Sequence, residues 1–468
     1  MNILFVSSEV FPFAKTGGLA DVAGALPDAL AKNRHTSSII LPFYKCVKQS
    51  GFSPELFKKL KGFNLYFLKH NGVSVYFVEN DKYYNRDELY GTPQGDYPDN
   101  ALRFGFFAKA VVASIPHIGD LDILHCNDWQ SALIPLYVRL FHKKSTALNK
   151  LKIIFTIHNM AYQGLFGREF MARLSIPRKL FTPDGLEFWG RLSFMKAGII
   201  YSDAITTVSK GYASEILTKE FGCGLDGLLR TREKDLHGIV NGVDYSVWNP
   251  ATDKFIAKQY SGKNLEGKEE CKKDVLKEFG IKYDKARPLI GMITRLAEQK
   301  GIDIVASAMK DMLDLGANVA LLGTGDEKYN NIFRSLAKEY KGHVGAKIDF
   351  DNALAHKIEA GSDMFLMPSR YEPCGLNQLY SMKYATVPVV RAVGGLDDTV
   401  ENFNPATKKG TGFKFKDANR ESLLAAVKSA VAVFKDRTSW SALQKNCLSQ
   451  DYSWSSSAKK YEDLYRRF

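Results

Sequence analysis

The stretch NILFVSSEVFPFAKTGGLADVAGALP, residues 2–27, decides the fold class of this 468-residue chain. It opens with a continuous apolar run at 2–8 and passes through two adjacent glycines into a segment with helical spacing. An apolar run without alternation is typical of a strand buried on both faces of a parallel sheet. The stretch therefore predicts the first βα unit of a doubly wound α/β domain.

The same pattern recurs along the chain and predicts two such domains. The predicted strands are 2–8, 37–43, 73–78, 122–126, 152–157 and 204–208 in the first half, and 289–294, 318–322, 344–348, 364–367 and 387–392 in the second. A segment of mixed Lys and Glu at 250–287 lies between the two sets and predicts a connection with a solvated helix. We expect Rossmann-like domains at 1–243 and 244–450.

The last residues, 451–468, predict a C-terminal helix. Its apolar residues share one helical face, and they are Trp454, Ala458, Tyr461, Tyr465 and Phe468. Packing on its own domain and crossing back to the N-terminal domain both fit this face.

Composition and charge exclude several classes of protein. The net charge of +13 is spread over both halves without a basic tail, so the pattern does not require a nucleic acid partner. Six separated cysteines without a Cys-x-x-Cys pair favour a reducing compartment over a disulfide framework or a zinc site. The chain shows no apolar stretch of about 18 residues, and no basic segment precedes the first strand. We expect a cytoplasmic protein that binds neither membrane nor nucleic acid.

Candidate binding residues follow the first predicted strand. Gly17 and Gly18 stand at the entry to a helix, where backbone N–H groups and the helix dipole favour an anion, and Lys15 adds a positive charge. The pattern is neither a P-loop nor the three-glycine dinucleotide fingerprint, and ordinary turn chemistry is the alternative.

Polar and aromatic residues also follow the fourth and fifth strands. Asp128 and Trp129 come after one, and His158 and Tyr162 after the other. A carboxylate, an imidazole and aromatic rings at one sheet edge suit sugar recognition, whereas each alone could be an ordinary loop residue.

In the second half, cations and a carboxylate follow the strands. Arg295 and Lys300 flank the end of 289–294 and could clamp a diphosphate, or form a solvated pair. Glu372 lies in a Pro- and Gly-shaped turn before a helix, and a second glycine pair, Gly394 and Gly395, follows it. Metal-ligand spacing is poor throughout, so no metal is expected.

Taken together, these motifs resemble the glycosyltransferase family of bacterial glycogen synthases and plant starch synthases. The resemblance covers almost the whole chain and rests on SSEVFPFAKTGGLADVAGALP, HCNDW, FTIHNMAYQG, MKAGIIYSDAITTVS, GIVNGVDYSVWNP, TRLAEQKG, PSRYEPCGLNQLYSMKYATVPVVRAVGGLDDTV and YSWSSSAKKYEDLY. It implies a GT-B fold, with an acceptor-side domain and a nucleotide-sugar domain facing across a deep cleft. It also implies retaining transfer of glucose from ADP-glucose to an α-1,4-glucan, without metal or other cofactor.

The resemblance further implies roles for individual residues. Lys15, Arg295 and Lys300 would contact the diphosphate, Glu372 the glucosyl ring, His158 the glucosyl 6-hydroxyl and anomeric centre, and Asp128 the donor glucose and acceptor. The wider substrate-binding set is Gly17, Gly18, Asp21, Asn241, Phe350 (which would stack on adenine), Cys374, Gly375, Leu376, Asn377, Gly394 and Gly395. Three residues depart from the common family pattern, namely Asn127 for His, Asn377 for Thr and Phe350 for Tyr. They leave UDP-glucose open as the alternative donor.

Two other functions are compatible with the sequence. A nucleotide-sugar transferase of the same architecture could act on a small acceptor, although the KTGGL start with Trp129 and Tyr162 favours a glucan. A silent glucan-binding protein could keep the fold, although intact Lys15, His158 and Glu372 argue against it. A dinucleotide-dependent oxidoreductase lacks its complete glycine fingerprint.

Overall fold

Short apolar runs that end at glycine or polar residues build two large sheets in this chain, one mainly and one wholly parallel. The computed structural model describes residues 1–92, 94–142 and 145–468. They divide into unit 1, which comprises Met1–Gly242 and Trp454–Phe468, and unit 2, which comprises Val243–Ser453. Both units are α/β, as the sequence predicts.

Unit 1 contains fourteen strands and twelve helices within the described ranges. The strands are β1 (Asn2–Val6), β2 (Thr36–Pro42), β3 (Glu55–Leu60), β4 (Phe63–His70), β5 (Val73–Glu79), β6 (Gly91–Thr92), β7 (Gly95–Asp96), β8 (Ile123–Asn127), β9 (Lys152–Ile157), β10 (Leu165–Phe166), β11 (Glu187–Phe188), β12 (Arg191–Ser193), β13 (Ala204–Thr207) and β14 (Leu236–Gly238). The helices are α1 (Gly18–Lys32), α2 (Lys45–Lys48), α3 (Asp81–Tyr84), α4 (Asn100–Ile118), α5 (Asp128–Ser131), α6 (Leu133–Phe141), α7 (Thr146–Lys150), α8 (Phe170–Arg173), α9 (Phe194–Tyr201), α10 (Lys210–Glu215), α11 (Asp226–Thr231) and α20 (Trp454–Tyr465). Single 3-10 turns lie at Arg178–Leu180 and Glu233–Asp235.

The main sheet of unit 1 has nine strands in the order β14-β13-β9-β8-β1-β2-β5-β4-β3. All neighbours are parallel except β4 and β3, which add an antiparallel edge. Val6 lies opposite both Ile40 and Cys126. The loops that follow β1, β2 and β8 therefore leave the same edge of the sheet, which is where doubly wound folds bind ligands.

Two helices complete the core of unit 1. α4 is long and apolar enough to span a membrane by length and composition, but 61% of that stretch is buried inside the fold, as in a core helix. α20 packs on α1. Its Tyr465 hydroxyl lies 2.6 Å from Nδ1 of His125, a buried residue of β8. Four of the five residues predicted to share a helical face are buried. Phe468 lies beyond the end of the helix at Tyr465 and is 45% exposed, so its prediction as part of that face was wrong.

Unit 2 is a single six-stranded parallel sheet with eight helices among the described residues. Its strands are β15 (Leu289–Ile293), β16 (Asn318–Leu322), β17 (Val344–Lys347), β18 (Met364–Met367), β19 (Val387–Arg391) and β20 (Phe413–Phe415). Its helices are α12 (Glu266–Glu278), α13 (Ile302–Asp314), α14 (Glu327–Glu339), α15 (Asn352–Gly361), α16 (Asn377–Lys383), α17 (Gly394–Thr399), α18 (Arg420–Lys435) and α19 (Arg437–Leu448), with a 3-10 turn at Glu298–Lys300. The order β17-β16-β15-β18-β19-β20 is that of a dinucleotide-binding fold. It reverses between β15 and β18, so a ligand crevice is expected beyond their carboxyl ends.

Candidate functional site

A pocket in unit 2 lies at this reversal of strand order. It encloses about 150 Å³. Its lining consists of the ends of β15 and β18, the loops that follow these strands, and the start of α16. Six of the predicted site residues line it together, namely Arg295, Lys300, Glu372, Gly375, Leu376 and Asn377. The topology alone explains this convergence, because the two strands on either side of the reversal send their loops to opposite sides of one crevice.

Lys300 and Glu372 form an ion pair inside the pocket. The Lys300 ammonium donates to Oε2 of Glu372 at 2.6 Å, and the Ser369 hydroxyl donates to the same oxygen at 2.8 Å. The Glu372 side chain is 9% exposed and that of Lys300 is 22% exposed. A buried carboxylate needs such partners, so the pair holds both side chains in place while Lys300 keeps access to the pocket.

The loop that carries Lys300 is fastened to the loop that carries Glu372. Arg370 binds Asp303 through two hydrogen bonds of 2.7 Å, and its backbone N–H donates to the Gln299 carbonyl at 2.8 Å. Gly301 separates Lys300 from α13 at φ 65°, and a Cβ there would lie 2.1 Å from the Pro368 carbonyl oxygen. Only glycine permits this approach, which fixes the position of the ammonium.

Arg295 is the exposed member of the cation pair. Its Nη2 donates to Oε1 of Gln299 at 3.1 Å, and no ion pair is found for it within the described ranges. Its guanidinium therefore remains available to an anion in the pocket.

Other predicted residues of unit 2 do not line this pocket. Cys374 is buried, and its carbonyl oxygen would lie 2.0 Å from a Cβ at Gly395. Gly394 begins α17 at φ 44°. Phe350 projects from the loop after β17 and is 85% exposed. Gly395 is thus required by its close approach to Cys374 and Gly394 by its backbone conformation, whereas the exposed ring of Phe350 lies on a separate loop.

In unit 1, Asp128 and His158 are brought together at the end of β8 and β9. The backbone N–H of His158 donates to Oδ1 of Asp128 at 2.7 Å. Asp128 has φ 55°, a left-handed conformation that is strained for a residue with a side chain and is typical of functional sites. Burial is the main cause that raises the pKa of this carboxyl to about 7; nearby Glu9 acts in the same direction, and backbone hydrogen bonds act against both.

Asn127 fixes the protonation of the His158 ring. Its Nδ2 donates to the Val6 carbonyl at 3.1 Å, so its Oδ1 faces His158 Nε2 at 3.0 Å. An amide oxygen only accepts, and the ring must therefore carry its proton on Nε2 and leave Nδ1 as an acceptor. Burial lowers the pKa of His158 to about 3, so the ring is neutral at ordinary pH.

The loop after β1 is held by Glu9, a residue that sequence reasoning missed. Its buried carboxylate accepts from the backbone N–H of Thr16 (2.5 Å) and Gly17 (3.0 Å), from the Thr16 hydroxyl (2.7 Å) and from the Tyr90 hydroxyl (2.6 Å). A glutamate two residues before a turn carries no sequence signal for this role, because the contact depends on the loop folding back over seven or eight residues.

Lys15 and the glycine pair face open space in front of this loop. A Cβ at Gly17 or Gly18 would meet no atom within 4 Å, so neither packing nor turn geometry requires glycine there. Lys15 pairs with Asp21 at 2.7 Å on the exposed side of α1. The loop therefore offers a ligand a cation and unobstructed backbone, but the Gly17 N–H is already used by Glu9.

Several other motifs of the sequence are structural. His125 is buried and bonded on both ring nitrogens, with Thr156 Oγ1 2.5 Å from its Nε2. Trp129 packs among Phe104, Phe166 and Phe194 and offers no open face. Asn241 follows β14 and is buried, and its Oδ1 has no hydrogen-bond partner. Across the described residues, no group of three or more His, Cys, Asp or Glu lies close enough to hold a metal ion.

Comparison with known proteins agrees with this arrangement. Residues 2–231 match the family described as the starch synthase catalytic domain, and residues 277–445 match glycosyl transferases group 1. A glycogen synthase of Koribacter versatilis is 47% identical, with 100% of this chain and 98% of the relative covered. A glycogen synthase 2 of Geobacter sulfurreducens is 44% identical with the same coverage.

Solved structures extend the comparison to the fold. The catalytic domain of starch synthase IV from Arabidopsis thaliana, bound to ADP and acarbose, has a TM-score of 0.89 and 34% identity over 100% of this chain and 99% of that one. A sucrose-phosphate synthase from Thermosynechococcus elongatus shares the fold alone, with a TM-score of 0.62 and 16% identity over 100% of this chain and 98% of that one. The chain thus has the GT-B fold and belongs to the glycogen synthase and starch synthase family of glucosyltransferases.

Proposed function

We propose that this protein transfers glucose from ADP-glucose to the 4-hydroxyl at the non-reducing end of an α-1,4-glucan, with retention at the anomeric carbon. The observation that carries the proposal is the unit 2 pocket, where two cations and a buried carboxylate meet at the strand-order reversal. The similar starch synthase is bound to ADP and acarbose, a nucleotide and an oligosaccharide analogue, which supports ADP-glucose as donor and a glucan as acceptor.

In this proposal, the pocket of unit 2 binds the donor diphosphate. Arg295 and Lys300 neutralise the negative charge that grows on ADP as the glucosyl–phosphate bond breaks, which is the largest electrostatic change of the reaction. Gly375, Leu376 and Asn377 line the same pocket, and Phe350 offers a free ring to the adenine. Lys15, beside Gly17 and Gly18, adds a third cation after it exchanges Asp21 for phosphate.

The glucosyl side is assigned to uncharged or neutralised groups. Glu372 binds the sugar ring while Lys300 balances its charge. His158 presents the acceptor nitrogen Nδ1, and Asp128, Asn241 and the glycine turn at Gly394 and Gly395 complete the polar surroundings. Hydroxyl groups need such mixed donors and acceptors, and neutral partners avoid the cost of burying unpaired charge.

The proposed step is a displacement on one face of the sugar. The bond from the anomeric carbon to the phosphate oxygen breaks, the bond to the acceptor O4 forms on the same face, and the O4 proton passes to the departing phosphate. Oε2 of Glu372 is already occupied by Lys300 and Ser369, which argues against attack by this carboxylate. A glucosyl adduct trapped on Glu372 or Asp128 would overturn this mechanism.

The remaining assignments are extensions of the same proposal. The cations take the place that a metal has in other transferases, so we propose a reaction that needs neither metal nor cofactor. A cytoplasmic location without a membrane or nucleic acid partner stays a prediction.

One assay tests the function. The protein is incubated with labelled ADP-glucose or UDP-glucose and glycogen in the presence of EDTA. We expect label in α-1,4-linked polymer from ADP-glucose, at a rate that added Mg²⁺ does not raise. Label from UDP-glucose alone would correct the donor, and transfer only to a small sugar would correct the acceptor. No incorporation from either donor would favour a silent glucan-binding protein.

A further inference from the structure

A tryptophan ring is held in solvent at the tip of a hairpin in unit 1. Trp189 and Gly190 form the two-residue turn between β11 and β12, with φ 49° and 76°. Trp189 is 83% exposed. Two positive φ values are those of a type I′ turn, which favours Asn-Gly, and a bulky residue there is an outlier. Such an outlier indicates that the ring has a role other than forming the turn.

The hairpin presents this ring on a fixed backbone. The Gly190 N–H donates to Oε1 of Glu187 at 2.6 Å, and the ammonium of the buried Lys196 donates to the Glu187 carbonyl at 2.8 Å. The Ser193 N–H donates to the Leu186 carbonyl at 2.9 Å. A ligand that stacks on the ring would not have to order the loop first, which favours binding.

The hairpin is also tied to the loop that follows His158. β12 pairs with β10 through Leu165 and Ser193, and β10 begins seven residues after His158. In the same loop the Tyr162 ring is 55% exposed. The hairpin that carries the exposed tryptophan is thus joined by strand pairing to the loop after the candidate catalytic histidine.

The neighbouring residue of that loop, Gln163, binds the segment at Cys223 and Gly224, which packs against the hairpin. Gln163 donates to the Cys223 carbonyl at 2.9 Å. Beside it, a Cβ on Gly224 would lie 2.9 Å from the Phe188 ring and 3.4 Å from Trp189 Nε1. The tryptophan is therefore supported from the side of the His158 loop.

We propose that Trp189 is a stacking platform for an α-1,4-glucan. It would contact a glucose unit of the polymer that is several units away from the glucose that reacts. The inference rests on the proposed function, which supplies a long, neutral acceptor. Such a polymer offers the protein no charge, but the C–H face of each glucose fits an aromatic ring. A contact beyond the reacting end would raise the affinity for polymer without changing the chemical step.

Two variants distinguish the effect of the aromatic ring from the effect of the backbone turn. Trp189→Asn replaces the ring and restores the Asn-Gly pair that this turn prefers, so the hairpin keeps its backbone. Trp189→Tyr keeps an aromatic face. We expect Trp189→Asn to raise the KM for glycogen about tenfold with kcat at saturating glycogen unchanged, the size of effect that one lost stacking contact gives. Trp189→Tyr should stay within about threefold of the wild type.

A binding measurement tests the platform without catalysis. Maltoheptaose is titrated into the protein in the absence of donor, and tryptophan emission is followed. Trp129, Trp440 and Trp454 are buried and Trp248 is partly buried, so the response should come from Trp189 and vanish in Trp189→Asn. No change of emission on titration of the wild type, an unchanged glycogen KM in Trp189→Asn, or equal rises of the glycogen KM in Trp189→Asn and Trp189→Tyr would overturn the proposal. Ring-dependent binding without any glucose transfer would instead overturn the proposed function and leave the platform standing.

Discussion

The candidate sites of the two units neutralise their buried carboxylates in opposite ways. In unit 2, Glu372 is balanced by the ammonium of Lys300 at 2.6 Å. In unit 1, Glu9 is balanced by backbone N–H and hydroxyl donors, and Asp128 accepts from the His158 backbone N–H. Both sites lie at the carboxyl ends of parallel strands, so the difference arises from the loops and not from the fold.

This difference suits the two sites to different roles in the reaction. A lysine that balances a carboxylate can still attract an anion, because its charge remains in the pocket and Arg295 stands beside it. An amide that balances a carboxylate has no charge to offer and instead fixes the loop. We infer that the pocket of unit 2 acts on the charge of the leaving diphosphate, whereas Glu9 and Asp128 in unit 1 act by position. Removing a cation from unit 2 should therefore affect the rate of the chemical step, and loosening Glu9 in unit 1 should affect binding.

The largest effect is expected from Lys300→Ala. The variant removes one charge that stabilises the departing ADP and leaves Glu372 unpaired, so kcat should fall by about 10²-fold or more. Steady-state assays with ADP-glucose and glycogen measure it. Lys310→Ala is the matched control, because Lys310 is an exposed lysine of the same unit paired with Asp314, and it should keep its activity. Near-wild-type turnover in Lys300→Ala would contradict the proposed role of unit 2, which is to stabilise the charge of the leaving diphosphate.

A smaller effect is expected from Glu9→Gln. The amide oxygen can still accept from the backbone N–H groups of Thr16 and Gly17, but the NH₂ group then faces the hydroxyls of Thr16 and Tyr90, which in the wild type donate to the other carboxylate oxygen. Charge-assisted hydrogen bonds become weaker neutral ones, so the loop that carries Lys15 should loosen and the KM for ADP-glucose should rise about tenfold, with a smaller change in kcat. Tyr90→Phe removes only one of the four hydrogen bonds to Glu9 and should show a weaker form of the same change. A fall in kcat at constant KM would give Glu9 a role in the chemical step instead.

The contrast also explains how much could be predicted from the sequence. Residues that directly follow buried strands, such as Asp128, His158 and Arg295, were found because strand ends converge in any doubly wound sheet. Glu9 was missed because its partners depend on the return path of a loop. The pairing of Lys300 with Glu372 across 72 residues was also not predicted, since it depends on the strand order of unit 2.

The prediction of secondary structure from the sequence has the same limit. Every predicted strand is present, and most are apolar runs buried within a sheet. The antiparallel edge strands β3 and β4 were missed. β3 is almost wholly exposed along Glu55–Leu60, so it has no apolar run to detect, and it is held by pairing with β4 and not by burial.

The smallest effect is expected from a variant that tests whether the His158 ring of unit 1 must stay uncharged. In the wild type, burial holds the pKa of His158 near 3, so this ring stays neutral as the pH falls from neutral and gives the rate no acid limb. Asn127→Asp places a carboxylate where Oδ1 now lies 3.0 Å from Nε2, which favours the imidazolium and raises its pKa. If the reaction needs the free Nδ1 and an uncharged ring, kcat/KM of the variant should fall as the pH drops through this raised pKa, and approach the wild-type value above it.

A second variant separates the added charge from the lost hydrogen bond. Asn127→Ala removes the acceptor without adding a carboxylate, so it should lower kcat/KM by a few-fold at every pH and, like the wild type, show no acid limb from His158. An acid limb that appears equally in both variants would mean that hydration of the site, and not charge, controls the ring. If Asn127→Asp shows no acid limb, His158 works as well when it is charged, and the distinction between the charged pocket of unit 2 and the uncharged His158 ring of unit 1 would no longer hold.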